Sequence, residues 1–187
     1  MSATMADHDA PEFRQITRPP EMPPERRHEL IECWAAVTNA GGAVVPLGFP
    51  LPPVGVEQVA PAADRLIAGL DPRRSRLLLA TVGYDLAGWL LVRRDLHPLI
   101  AHWGEVNHLQ THPRFRGQGI GTALMRRVRE LARDEMGLEQ LRLAARAGTG
   151  LEGFYRRLGW REVGRWPGAL RVAPGDDRDD ILMVLAL

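Results

Sequence analysis

Three glycines at alternate positions, Gly117, Gly119 and Gly121, stand where the most regular helical pattern of the chain begins. Over residues 120 to about 136, Ile120, Ala123, Leu124, Val128 and Leu131 form one apolar stripe, and Arg126, Arg127, Arg129, Glu130 and Arg133 form a wet face. Glycine costs a helix about 1 kcal/mol relative to alanine, so this spacing needs a reason. A helix N-terminus offers unpaired N–H groups and roughly half a positive charge. Without Cβ atoms in the way, a phosphate can approach those donors closely. Arg116 adds a cation at the rim. Residues 114–122 (RFRGQGIGT) are therefore read as a cradle for a phosphate or pyrophosphate.

Two familiar phosphate loops do not fit it. The nucleotide P-loop ends in Gly-Lys-Ser/Thr, and all 24 basic residues of this chain are arginine. The dinucleotide fingerprint needs a glycine where Thr122 stands.

The rest of the chain alternates short apolar runs with helical spacing. Strands are expected at residues 13–17, 76–82, 86–92, 102–111, 140–145, 160–163 and 180–187. Helices are expected at 25–39, closed by Gly41-Gly42, at 56–70, at 120–136 and at 151–157. Residues 43–56 are apolar yet rich in Pro and Gly, a loop that either lines a cleft or packs over the core. The order β-α-α-β-β-β-α-β-α-β-β implies an α/β (α+β) fold, a mixed sheet with helices packed on it.

A chain of 187 residues is one domain's worth, here read as a single domain over 12–187 after a flexible start at 1–11. A net charge of +1 gives no drive toward nucleic acid or an anionic membrane. Lone Cys33 cannot form an internal disulfide and no Cys/His group has zinc spacing, so neither disulfide nor metal is expected. No apolar run reaches about 18 residues and the first residues lack the pattern of an export signal, which leads to a cytoplasmic expectation.

The stretch Arg116-Gly-Gln-Gly-Ile-Gly121 resembles the acyl-CoA loop of the GNAT superfamily of N-acetyltransferases. The preceding strand (EVNHLQTHP), the stretch FYRRLGW at 154–160 and the element order are similar as well. From Glu105 onward, and in the ending FYRRLGWREVGRWPGALRVAPGDD, the chain looks most like the tabtoxin-resistance-type acetyltransferases. That resemblance implies a mostly antiparallel sheet of six to seven strands flanked by about four helices, and acetyl-CoA as co-substrate with no metal. It implies a pyrophosphate on the amides of Gly117, Gln118, Gly119, Ile120, Gly121 and Thr122 beside Arg116. Pantetheine would pair like an added strand with the main chain around Leu109, Gln110 and Thr111, where that strand splays from the one at 140–145. An N–H near Leu109 would polarise the thioester carbonyl. The acceptor would be a primary amine of a small molecule attacking directly in a ternary complex, and a homodimer is possible. A non-catalytic acyl-CoA-binding regulatory module is the other reading.

The chemistry sets two proton tasks: an ammonium must lose a proton, and a departing thiolate leaves more easily if protonated. Tyr155, on the short helix where the family places the acid, is the candidate acid, its alternative being aromatic packing. Glu105 is the candidate base, acting through water, its alternative being a structural role, and His108 has the better intrinsic pKa. On a regular strand Glu105 and His108 face opposite sides, so both reach one cleft only through a bulge. The tabtoxin-resistance-type pattern has an aspartate where this chain has Ala144. Asp176, Asp177, Asp179 and Asp180 could attract a cationic acceptor, but four acids in a Gly-containing hairpin are read first as a solvated turn; Cys33 is read as a small core residue.

Overall fold

The computed structural model describes residues 10–42 and 51–187. Most of the expected flexible start, and residues 43–50 of the apolar loop, lie outside the described residues. The elements are β1 (Glu12–Ile16), α1 (Pro24–Asn39), α2 (Val56–Ala68), β2 (Ser75–Val82), β3 (Asp85–Arg94), β4 (Trp103–Thr111), α3 (Ile120–Glu130), β5 (Gln140–Arg146), α4 (Leu151–Arg157), β6 (Arg161–Ala173) and β7 (Asp176–Ala186). One seven-stranded sheet has the order β1-β2-β3-β4-β5-β7-β6. Its pairings are antiparallel except β4 with β5.

Two apolar layers form because β2 and β3 are apolar on both faces. Leu77, Leu79, Trp89 and Leu91 pack toward α1 and α2, whereas Leu78, Ala80, Leu90 and Val92 pack with Leu124 and Val128 of α3. Such continuous burial suits a strand covered on both sides. Helix α3 comes close to the sheet at Gly88, where a Cβ would lie 2.5 Å from the Gln110 carbonyl and 3.1 Å from both Ile120 and Leu124.

Two expectations are corrected. The helix expected to about residue 136 is α-helical only to Glu130 and finishes in a π-turn over Leu131–Glu135. The last two strands are far longer than the apolar pattern suggests, because β6 runs to Ala173 and β7 starts at Asp176. Cross-strand charge holds this exposed ribbon, as in Arg171–Asp177 at 2.7 Å and Arg165–Asp179 at 3.2 Å. Its register breaks between Trp166 and Leu170, around Pro167, which has no N–H to donate. Among the described residues no helix is long and apolar enough to cross a membrane.

Candidate active site

The site is made by one irregular strand. Between Trp89↔Gln110 and Leu91↔Asn107 the β3–β4 pairing advances two residues on β3 and three on β4, so β4 bulges at His108. His108 has φ 58°, the one positive φ outside glycine among the described residues. Strain of this kind costs roughly 1–3 kcal/mol and persists only where the surroundings enforce it. Here His108 stacks on Trp89 at 5.6 Å and lies 5.0 Å from Trp34. The bulge re-aims the strand: Val106 packs toward α3, while Glu105, in register with Arg93, shares the opposite face with His108. The condition for Glu105 and His108 to reach one cleft is met.

The other edge of β4 is open. It pairs with β5 only from Trp103↔Gln140 to Glu105↔Arg142, and then the two strands part. Main-chain groups along that edge are left to pair with an extended ligand, as a sheet edge does with an added strand.

A cavity of about 940 Å³ fills the opening. It is lined by Glu105, His108, Leu109, Gln110 and Thr111 of β4, by Arg116, Gly117, Gly119, Ile120, Gly121 and Thr122, and by Ala144, Tyr155 and Asp180. Gln118 does not line it; its side-chain amide turns back to the Arg114 carbonyl at 3.4 Å. The Arg116 amide bonds to Pro113 and the Ala123 amide to Gly119, and between them no main-chain amide has a protein partner among the described residues. Gly117 and Gly119 have φ of 76° and 80°, and a Cβ on either would meet nothing. Backbone conformation, not crowding, requires glycine there. These free donors, beside Arg116, fit the diphosphate of acetyl-CoA.

Tyr155 is 6% exposed, edge-on to Phe154 at 5.1 Å and to Trp160 at 5.9 Å. Burial pushes its phenol well above the ordinary range, so it stays protonated. His108 is pushed down to about 4, first by burial and then by the charge of Arg93. That neutral imidazole has lost the advantage its residue type promised for a base. Glu105 is exposed on the cavity wall and has no ion pair among the described residues. Gln110 is 1% exposed, and among the described residues neither its amide atoms nor the His108 Nδ1 has a partner.

The acidic segment is also corrected. Asp176 pairs with Arg178, Asp177 with Arg171, and Asp179 with Arg165 and the Gly168 amide. Asp180 instead lines the cavity, and burial raises its carboxyl above the usual range. The signal was in the sequence: Ile181, Met183 and Leu185 face the core, so Asp180 must face the other way. Cys33 is a buried core residue whose thiol burial pushes up to about 12.

The profile of the acetyltransferase (GNAT) family matches residues 49–160. The chain belongs to that family. Solved structures share the GNAT fold at low identity. The GNAT acetyltransferase of Streptococcus pneumoniae superposes with a TM-score of 0.69 at 17% identity, covering 94% of this chain and 100% of that one. Ribosomal-protein-alanine N-acetyltransferase from Brucella melitensis gives 0.70 at 17%, covering 94% and 99%. The protein yncA from Salmonella typhimurium, solved with its cofactor acetyl-CoA, gives 0.67 at 14%, covering 94% of each chain. None of the curated proteins matches the sequence. The match is to the GNAT family as a whole and does not single out its tabtoxin-resistance branch.

Proposed function

We propose that this GNAT protein is an acetyl-CoA-dependent N-acetyltransferase acting on a primary amine of a small molecule by direct attack in a ternary complex. The observation that carries the reading is one continuous cavity joining the free amides of the glycine loop, the open edge of β4, Tyr155 and Glu105. Its volume of about 940 Å³ is that of a small-ligand site.

Acetyl-CoA supplies an activated thioester carbonyl. The amides of 117–122 and Arg116 hold its diphosphate, and the free edge of β4 aligns its pantetheine. A main-chain N–H near Leu109 polarises the carbonyl. Glu105, through water, takes the proton that the acceptor ammonium must lose. His108, neutral against the indoles of Trp34 and Trp89, orients water and acceptor without taking that proton. Tyr155 donates a hydrogen bond to the sulfur. A thiol's ordinary pKa of about 8.5 lies below that of a phenol, so this bond acts first by stabilising the developing thiolate.

Transfer of label from acetyl-CoA to a panel of small amines, followed by mass spectrometry, tests the reading. Tyr155→Phe is expected to lower kcat about 100-fold while CoA affinity holds. Unchanged turnover removes the acid role from Tyr155. Tight CoA binding with no amine ever acetylated would replace the enzyme by a regulatory acyl-CoA-binding module.

A further inference from the structure

Arg146 and Asp180 stand in register across β5 and β7. Opposite charges so placed ordinarily pair. These do not. Arg146 donates to the Gly41 carbonyl at 2.8 Å, and the charges acting on it are those of Arg178 and Asp176. The Asp180 carboxylate is left with no hydrogen bond or ion pair among the described residues, whereas each of its three acidic neighbours is held by an arginine. It faces the cavity on the side of Ala144, whose single methyl leaves the floor open. On β6 its register partner is Trp166, and an indole beside a carboxylate suits a cation. Gln110, another lining residue of this cavity, is 1% exposed, and its side-chain amide has no partner among the described residues.

The two unpaired carboxylates of this cavity serve different places. Glu105 is level with Arg142 and Asp180 with Arg146, four residues further along β5. At ~3.3 Å per residue that is an offset of about 13 Å. One carboxylate can attend the reacting amine while the other holds a second group.

Resting on the N-acetyltransferase reading above, we propose that Asp180 binds a cationic group of the acceptor other than the amine being acetylated. The acceptor class is then a small dibasic amine, such as an α,ω-diamine. A hydrogen-bonded charge pair in a partly dry site gives roughly a 10- to 100-fold preference for such an acceptor over its monoamine.

The test compares kcat/KM for 1,6-diaminohexane and 1-aminohexane in the wild type, Asp180→Asn and Asp180→Glu. The wild type is expected to favour the diamine roughly 10- to 100-fold. In Asp180→Asn the ratio falls to near one through a higher KM for the diamine, and Asp180→Glu keeps part of it. CoA affinity within twofold of the wild type reports a folded variant. Calorimetric titration of the diamine into the CoA-bound protein is expected to lose its signal in Asp180→Asn. An equal rate on both amines in the wild type, or a ratio that survives in Asp180→Asn, overturns the proposal and leaves the N-acetyltransferase reading standing. Failure of the wild type to acetylate either amine or any other amine sinks both together.

Discussion

Strands β3 and β4 lie side by side and follow opposite rules. From Leu86 to Val92 every residue of β3 is buried, and its side chains feed both apolar layers. Strand β4 carries Glu105, Asn107, His108 and Gln110, bulges at a left-handed residue, and loses its second neighbour after Glu105. A buried polar group without a partner costs roughly 1–3 kcal/mol, so β4 is destabilising on its own terms. Its neighbour makes it possible: Trp89 of β3 is the surface on which His108 rests. One strand supplies rigidity, and the next uses it to carry polar residues along the cavity.

The largest effect should come from removing that support. Trp89→Ala empties a fully buried site and is expected to lower unfolding free energy by about 3–5 kcal/mol in a urea titration. A loss below about 1.5 kcal/mol would mean that β4 is held from elsewhere. A smaller effect should come from the group Trp89 shields. In the unfolded chain His108 takes up a proton near pH 6.5, whereas in the folded protein it refuses one until about pH 4. The folded-state pKa is depressed, so this contribution is whole above pH 6.5 and is lost as pH falls toward 4. Between pH 7 and 5 the wild type should lose about 2 kcal/mol more than His108→Asn. Equal losses would show that His108 is solvated. The smallest effect has the opposite sign. Gln110→Leu removes two buried polar atoms that have no partner among the described residues and should raise stability by about 1 kcal/mol. A destabilised Gln110→Leu would mean that the amide already has its partners.

The strands of the apolar layers were legible within a residue or two because their periods and turn residues agreed. Runs such as Leu77–Ala80 could hardly be anything but buried. The glycine loop was legible too, since alternate glycines before a strong helix have few physical uses. The ribbon of β6 and β7 was not. Its pairing is made by main chain and by arginine–carboxylate contacts between exposed residues, and neither leaves an apolar rhythm. The π-turn after Glu130 left no mark either, because Leu131 and Ala132 continue the apolar stripe. At the site, the bulge could be stated only as a condition. Residue type pointed to His108 as a base, but burial decides its protonation, and burial is a property of Trp34 and Trp89 rather than of the histidine. Asp180 was hidden among three acids that do what acids in a turn usually do.

Beyond the three register pairs that join β4 to β5, the sheet is two slabs sharing a short weld. Under the function proposed above, a thioester tail lying in the opening lengthens that weld, so the reactant doubles as a removable beam. At a concentration a hundredfold above Kd, such a beam adds about 2.7 kcal/mol to the folded state. Under that same reading, resistance to proteolysis rises and falls with the supply of acyl donor, and the molecule is softest without it.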